Sequence, residues 1–334
     1  MRSLALLSIA LCTLLGGMQA APDRFRLETD EAQGATVVLE ADRPVLAYRF
    51  SDQLPAELDG QYVRACYIHP LFSLEGRPIT DDFPADHPHH HGLSWTWPRI
   101  RVGERAVQTW HPSPLRQHFT GWAKREADDQ GAVLSADAEW RIGAEVVATE
   151  NLTLHVHRAG DAGRVIDLAL VITAGDEPIE LLGAEEKGYG GLMFRGSEAF
   201  KGARMRTDRG PLEEDSLNRA YRWADLSAAD AGLSIFVPED HPGGVPDWMI
   251  RNSYAGILNV AWPGLAPRTI APGEALTLRY RLFVHDGTAT EQELARRYEE
   301  YRRERGDDAQ RATTMGTASD GAGAPSASSD GSPR

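Results

Sequence analysis

The chain has 334 residues, and 42% of them are hydrophobic, so it is long enough to bury a core in one large domain or two smaller ones. Its formal net charge of −14 argues against the clustered basic surface that nucleic-acid binding needs, so we expect no nucleic-acid partner. Acidity alone identifies no other partner, because a net charge far from zero already favours solubility.

The first residues of the chain have the pattern of an export signal. Arg2 precedes an apolar run over residues 4–15, which is too short for a comfortable membrane span, and Ala20 ends a suitable cleavage sequence. We therefore predict a signal peptide at residues 1–20 and a periplasmic or extracellular protein that does not contact a membrane after cleavage. Of the two cysteines only Cys66 would remain, so no internal disulfide is expected.

The mature chain has one strand pattern after another. Residues 36–39 and 45–50 are rich in β-forming side chains and flank a turn, and residues 151–158 alternate between apolar and polar side chains. Residues 165–173 are apolar at nearly every position, as a strand covered on both faces would be. These patterns predict an all-β fold, a large antiparallel β-sandwich, as a single domain spanning residues 23–304.

One helix is predicted near the C-terminus. Thr290 and Glu293 form a capping box, and the residues that follow place a narrow apolar stripe on one helix face. The stripe consists of Leu294, Tyr298 and Tyr301. We expect an amphipathic helix that lies on the sandwich by this stripe. Residues 306–334 are mostly small and polar, so we predict that this tail is disordered.

The densest group of chemically useful side chains lies between residues 69 and 97, which hold five of the eleven histidines. Four prolines in this stretch prevent a long helix, so we predict an ordered loop that leads into a strand near Gly92. Imidazoles are suited to proton transfer near neutral pH and to metal binding. The loop is therefore the best candidate for a functional site, with His87, His89 and His90 as catalytic residues.

Three interpretations of this loop remain open. In the first, an imidazole acts as a general acid beside Asp82 or Asp86, and Trp95 stacks on a sugar. In the second, His87 and His89 face one way on an extended segment and bind a divalent transition metal. Asp86 is the first choice for the third ligand, and Asp82, His69 and His118 are the others. In the third, the histidines only cap backbone groups and hold the loop together.

Two other segments combine polar and aromatic side chains that suit a ligand. Glu186 and Lys187 stand beside glycines after a strand, where they form either a polar pocket floor or a charged hairpin turn, and we predict catalytic roles for them. Trp248 and Arg251 lie in a loop-rich stretch, either as ligand contacts or as parts of a packed surface loop. The predicted substrate-binding residues are His69, Asp82, Asp86, Trp95, Trp248 and Arg251.

The motif D-H-P-H-H-H-G over residues 86–92, together with Glu186-Lys187 and with Trp248 and Arg251, resembles the PmoA-like family of exported bacterial proteins. That family commonly has a basic residue at the position of His91, so the resemblance makes this histidine the weakest ligand candidate. Its members resemble secreted proteins of sugar-degrading bacteria, which implies a carbohydrate ligand. We attach no methane-oxidising activity to the resemblance, because the chain has no predicted membrane helix.

Our leading hypothesis from the sequence is an exported protein that binds or transforms a saccharide through acid–base chemistry of the histidine-rich loop. By analogy, the sandwich would be the large two-sheet type found in sugar mutarotases. No cofactor is predicted, although a metal-dependent oxidoreductase with histidine ligands is the second hypothesis. A non-catalytic binding or scaffold protein is the third. The partner would be a small molecule or an oligosaccharide.

Overall fold

The computed structural model describes residues 24–253 and 256–319, and it gives side chains through residue 306 of the final helix. In chain order the first strands are β1 (Phe25–Asp30), β2 (Ala35–Glu40), β3 (Arg43–Arg49), β4 (Tyr67–Leu71), β5 (Leu93–Thr96), β6 (Arg99–Val102), β7 (Arg105–Val107), β8 (Leu115–Ala127), β9 (Gly131–Ile142), β10 (Glu145–His157) and β11 (Arg164–Ala174). The next are β12 (Ile179–Leu182), β13 (Gly191–Arg195), β14 (Arg204–Thr207), β15 (Gly210–Leu212), β16 (Ser216–Ala220), β17 (Trp223–Ser227), β18 (Gly232–Phe236), β19 (Asp247–Arg251), β20 (Ile257–Ala261), β21 (Arg268–Ile270) and β22 (Ala275–His285). The helix α1 (Glu291–Ser319) follows, and short 3₁₀ turns occupy Gly60–Tyr62 and Glu198–Phe200.

The strands form two large sheets and one small sheet. The first sheet has nine strands in the order β1-β2-β3-β4-β5-β13-β20-β19-β16, and the second has nine in the order β15-β14-β17-β18-β22-β11-β10-β9-β8. The small sheet has the order β21-β12-β6-β7. Neighbouring strands pair antiparallel, and residues from both large sheets share one hydrophobic core. The predicted large antiparallel β-sandwich with one C-terminal amphipathic helix is confirmed.

The core is built by alternation along the strands, as β11 illustrates. Its residues from Ile166 to Ile172 alternate between buried and half-buried positions, and the buried ones face the core. A fully buried leucine or isoleucine contributes roughly 1.5–3 kcal/mol relative to an exposed one. The sequence predicted that both faces of this strand would be covered. The second face is only partly covered, and there Val165 packs against the cluster beneath α1.

The helix α1 rests on the second sheet through the predicted stripe. Its buried residues pack against Phe236 of β18 and Phe283 of β22 in a separate hydrophobic cluster. At its start, the backbone N–H of Glu293 donates a hydrogen bond to Oγ1 of Thr290 at 3.2 Å, which satisfies one of the free N–H groups of the first turn. The predicted cap and the predicted stripe of the helix are therefore both present.

The backbone of α1 continues through Ser319, past the domain end predicted at residue 304 and into the predicted disordered tail. Residues 306–319 contain no proline and include alanine, arginine and glutamine, which favour helix, and the helix continues over them. The disordered tail at residues 306–334 stays a prediction. Residues 320–334 and the predicted signal peptide at 1–20 lie outside the described residues. Within the described part, no helix combines the length and the apolarity that a membrane span needs.

Candidate functional site

The segment Asp81–Gly92, called the histidine loop from here on, is ordered because both of its ends are tied to the end of β13. The backbone N–H of Asp81 donates to the carbonyl of Arg195 at 3.0 Å, and the N–H of Arg195 donates to the carbonyl of Gly92 at 2.7 Å. Gly92 has a φ of +24°, and a Cβ there would lie 2.1 Å from the carbonyl oxygen of Ile68, so only glycine fits. The predicted ordered loop is therefore present, and both of its ends are held by the backbone of Arg195.

The strand register places two arginines on one face of the first sheet. Arg195 of β13 pairs with Ile257 of β20, and Ile257 pairs in turn with Arg251 of β19. Residues directly opposite each other in neighbouring strands share a face, and neighbouring strands lie about 4.8 Å apart, so the two arginine Cα atoms are separated by roughly 10 Å. We call this the outer face of the first sheet, because Phe194 and Leu258 on the other face belong to the core.

Arg195 organises the histidine loop from beneath. It is 4% exposed, its guanidinium donates to Nδ1 of His90 at 3.1 Å, and it bonds a carboxylate oxygen of Asp86 at 3.0 Å. Because an arginine can only donate, Nδ1 of His90 must be an acceptor, and the ring is neutral with its proton on Nε2. Burial, reinforced by the neighbouring His89 and the Arg195 charge, lowers the pKa of His90 to about 2. His90 thus cannot act as a cationic acid near neutral pH.

His87 forms the second half of this arrangement. Its Nδ1 lies 2.9 Å from a carboxylate oxygen of Asp86, and both side chains are partly exposed. Burial acts to raise the pKa of Asp86, but the His87 hydrogen bond and the Arg195 charge outweigh it and hold that pKa below its ordinary value. With the proton on Nδ1, facing the carboxylate, Nε2 of His87 carries the lone pair. An imidazole beside a carboxylate can then act as a general base.

His89 lies beside both of these histidines. Its ring centroid is 4.6 Å from that of His90, 5.6 Å from that of His87 and 4.0 Å from that of His111, which comes from the segment before β8. Burial and then the neighbouring His111 lower the pKa of His89 to about 3. The three predicted catalytic histidines therefore cluster in space, and His89 and His90 remain neutral at physiological pH.

Two residues predicted to bind substrate have polar contacts within the protein. The carboxylate of Asp82 accepts from the hydroxyl of Tyr67 at 2.8 Å and from Nδ1 of His91 at 2.9 Å. Nδ1 of His69 lies 3.0 Å from Oγ1 of Thr80. Since each of these polar atoms already has a partner within the protein, Asp82 and His69 contribute to the shape of the loop.

The two predicted tryptophans point into the core. Trp95 is 1% exposed and Trp248 is fully buried, with its indole N–H donating to the carbonyl of Tyr221 at 2.7 Å. Neither ring can stack on a ligand while it is buried in this way, so their predicted binding roles are corrected. The aromatic ring that does reach the histidines is that of Trp110, whose centroid lies 5.8 Å from that of His90.

The segment that contains Glu186 and Lys187 is an exposed turn. Among the described residues, neither side chain forms a hydrogen bond or an ion pair with the histidine loop, and the carbonyl of Glu186 accepts from Asn218. The member of this segment that approaches the site is Tyr189, whose ring lies 4.7 Å from that of Trp110. The predicted catalytic roles of Glu186 and Lys187 thus have no contact to support them.

Arg251 shares the outer face with Arg195, which keeps its predicted binding role open. It is half-buried, and its Nε lies 4.0 Å from a carboxylate oxygen of Asp215. Ile257 lies between the two arginines on this face, and Met193 and Met249 lie two residues further along their strands. All three pack with Trp110 and Tyr189. This apolar floor, with aromatic rings above it and an arginine at each side, adjoins the histidine loop.

A cleft opens next to the loop, between it and the segment that leads into β8. Its volume is about 470 Å³ when the open solvent at its mouth is included. The walls include His89, His91, Trp110 and His111, and Arg64 and Gln117 also line it. His89 and Trp110 therefore belong both to this cleft and to the histidine cluster, so the two features are adjacent.

The alternative metal site was assigned to Asp86, His87 and His89. Within the described residues, no group of three or more histidine, cysteine, aspartate or glutamate side chains has an arrangement that could hold a metal ion. Nδ1 of His87 instead faces a carboxylate oxygen of Asp86 at 2.9 Å. The observed geometry is that of an imidazole beside a carboxylate.

The fold and the loop together define a large antiparallel β-sandwich with a histidine–carboxylate–arginine site at one edge of its first sheet. The chain belongs to a family described as a family of unknown function, DUF6807, whose model matches residues 35–299. This finding corrects the resemblance to the PmoA-like family, because nothing in it links the chain to PmoA or to a methane oxygenase. No curated protein matches the chain.

Several solved structures are similar in fold. A galactose mutarotase related enzyme from Lactobacillus acidophilus is 6% identical with a TM-score of 0.42, and the match covers 79% of this chain and 98% of that one. A heparan sulfate lyase from Pedobacter heparinus is 7% identical with a TM-score of 0.40, over 77% of this chain. A 4-alpha-glucanotransferase from Thermococcus litoralis is 7% identical with a TM-score of 0.35, over 80% of this chain. This chain spans only 34% of the lyase and 40% of the glucanotransferase.

Proposed function

We propose that the protein binds a saccharide at the histidine loop and that His87 acts as the general base on it. The observation that carries the proposal is the chain of contacts from Arg195 through Asp86 to His87. The buried guanidinium bonds the carboxylate of Asp86, and that carboxylate lies 2.9 Å from Nδ1 of His87, so with the proton on Nδ1 the lone pair of Nε2 can accept a proton.

A proton donor also lies in the loop. Burial raises the pKa of Asp81 above its ordinary value, although the backbone N–H of Asp82 and the Arg195 charge act in the other direction. Asp81 is therefore the carboxyl group of this loop best suited to hold a proton, and we assign to it the role of general acid. Asp81 and Asp86 flank the same guanidinium, at 3.9 and 3.0 Å, so the acid and the carboxylate that orients the base share one anchor.

The remaining groups favour a hydroxyl-rich ligand. The neutral imidazole of His90 can donate from Nε2 to a hydroxyl group without adding a charge. Trp110 and Tyr189 provide aromatic surface of the kind on which the apolar faces of sugar rings pack, and Arg251 is a further donor on the same face. The proposal is supported by this combination, and the names of the structural neighbours add no argument to it.

The proposal is tested by a glycan array followed by product analysis of the saccharides that bind. We expect His87→Ala to lower turnover by roughly 100-fold or more, because a positioned general base contributes about that factor. His157→Ala is the matched control. It removes a partly exposed histidine that is also paired with a carboxylate, Asp167 at 2.8 Å, but lies on the second sheet.

Each outcome of this experiment has a clear meaning. Equal loss of turnover in both variants would point to a general effect on the fold and would contradict the assignment of His87. Saccharide binding without any product would leave a binding protein and remove the catalytic part of the proposal. Absence of any bound saccharide on the array would remove the proposal as a whole.

A further inference from the structure

A group of buried polar atoms without partners lies behind the cleft beside the histidine loop. Gln117 is 4% exposed, and its side-chain N–H donates to Oε2 of Glu150 at 2.7 Å, while its own Oε1 has no hydrogen-bond partner among the described residues. Nε of Arg64 is also buried without a partner in the described part of the chain. Buried polar atoms in folded proteins nearly always have partners, so this group indicates an occupant.

The chemistry of the unpartnered atoms selects the kind of occupant. Gln117 offers an acceptor and Arg64 offers a donor. A carboxylate or phosphate would satisfy only the arginine and would set its oxygens against the acceptor of Gln117. A hydroxyl group both donates and accepts, and it satisfies a mixed set of this kind.

The size and position of the cleft limit the occupant further. The space in the cleft that the centre of a water molecule can reach is about 40 Å³, whereas a single water needs about 10–15 Å³ of such space, so there is room for a few waters or a hydroxymethyl group but not for a sugar ring. His89 and Trp110 form a shared wall with the histidine cluster. An arm of a ligand bound at that cluster could therefore extend into the cleft.

We propose that this cleft is a specificity subsite that takes a hydroxyl-bearing arm of the saccharide, such as a hydroxymethyl group, with Gln117 and Arg64 as its recognising residues. This inference rests on the proposed function for the identity of the ligand as a saccharide. The preference of the cleft for a hydroxyl group over an anion is independent of that function. Oε1 of Gln117 accepts a hydrogen bond from the hydroxyl group. Glu150 holds the amide of Gln117 in place, so Glu150 is a positioning residue.

The cleft itself is tested by crystal structures of the protein soaked in glycerol, in sodium acetate and in buffer alone. We expect a glycerol hydroxyl within about 2.7–3.2 Å of Oε1 of Gln117, and no acetate in the cleft. Acetate bound to Arg64, or ordered water alone in all three crystals, would overturn the subsite. Because no turnover is measured, this experiment decides the inference even if the proposed function fails.

The link to the saccharide is tested in solution by titrating D-glucose and D-galactose against D-xylose and L-arabinose, the matching pentoses that lack the hydroxymethyl group. We expect the hexose to bind at least about tenfold more tightly than its pentose, because a site built to bond a hydroxyl loses that bond with the analogue. The ratio should fall to about one in Gln117→Met and stay unchanged in Gln130→Met, an exposed glutamine in the turn between β8 and β9.

The outcomes of the titration separate the two proposals. A hexose-to-pentose ratio near one in the unaltered protein, or a high ratio retained in Gln117→Met, would overturn the subsite while leaving saccharide binding at the histidine loop intact. If no sugar binds at all, the proposed function falls and the crystal structures alone decide whether the cleft selects hydroxyl groups.

Discussion

Asp225→Ala is expected to lower the free energy of unfolding by about 3–5 kcal/mol, because it breaks a fully buried ion pair and leaves the arginine charge uncompensated. Asp225 is completely buried in β17 and accepts from the guanidinium of Arg206 at 2.8 Å and from Nε2 of His285 at 2.9 Å. Burial alone would raise the pKa of this carboxyl group, but His285 and Arg206 hold it below its ordinary value.

The same hydrogen-bond network joins the second sheet to the segment before α1. Its loss should therefore destabilise the fold as a whole. The guanidinium of Arg206 also donates to the carbonyl of Ala289, next to the helix cap, and to Oγ of Ser227 at 2.6 Å. Urea unfolding measures the effect, with Asp161→Ala in an exposed turn as the control. A loss of less than about 1 kcal/mol for Asp225→Ala would mean that this network is not a stabilising element of the sandwich.

The stability of the protein is expected to depend on pH through histidines that are buried in the neutral form. The pKa of His90 is lowered to about 2 and that of His241 to about 4, in both cases chiefly by burial, whereas an unfolded histidine has a pKa near 6.5. Above pH 6.5 both states are neutral and the full stability is present. As the pH falls below 6.5, the unfolded state binds protons that the folded state does not, so stability is lost at roughly 1.4 kcal/mol per pH unit for each such histidine.

The variant His90→Asn isolates this effect, because asparagine can still accept a hydrogen bond from Arg195 but does not titrate. We expect its destabilisation relative to the unaltered protein to shrink by about 2 kcal/mol between pH 6.5 and pH 5. Asp81 and Glu150, whose raised pKa values act in the opposite direction, are present in both proteins and cancel in the difference. Urea unfolding at several pH values makes the comparison.

Ser94→Ala is the control for this comparison, since it removes a buried side chain that does not titrate. Its destabilisation should be the same at pH 6.5 and pH 5. If the destabilisation by His90→Asn were also the same at pH 6.5 and pH 5, His90 would not be neutral in the folded protein. Nδ1 of His90 could then not be the acceptor of the Arg195 hydrogen bond.

Much of the fold could be predicted from the sequence because it depends on local patterns. The alternation in β10 and β22, the cap at Thr290 and the apolar stripe of α1 are all set by the period of the side chains along a strand or helix. The end of α1 could not be predicted in this way. The composition of residues 306–319 is compatible both with a solvated helix and with disorder, and no apolar pattern decides between them.

The candidate site was predictable only where its parts lie close together in the sequence. The motif predicted a cluster of His87, His89 and His90 with Asp86, since one short loop holds all four. The position of Arg195 depends on how β13 attaches to that loop, 105 residues away from His90, and its strand is otherwise apolar. No local pattern carries that information.

Trp95 and Trp248 were predicted to contact a ligand because a local sequence pattern does not identify the core face of a strand. The alternation around Trp95 correctly indicates which residues share a face of the strand, but it does not say which of the two faces is the core. In the sheet, Trp95 pairs with Leu192 on the core face, and Trp248 is fully buried in β19. Trp110 and Tyr189 reach the site from two loops that only the folded chain brings together.

The most direct test of the histidine loop as the ligand site is a ¹H–¹⁵N NMR titration of the histidine side chains with the saccharide that binds most tightly on the array. We predict that the ring signals of His87 and His89 shift as the ligand is added, while those of His155 and His157 on the second sheet stay in place. Shifts confined to His155 and His157, or no histidine shift at saturating saccharide, would contradict the account.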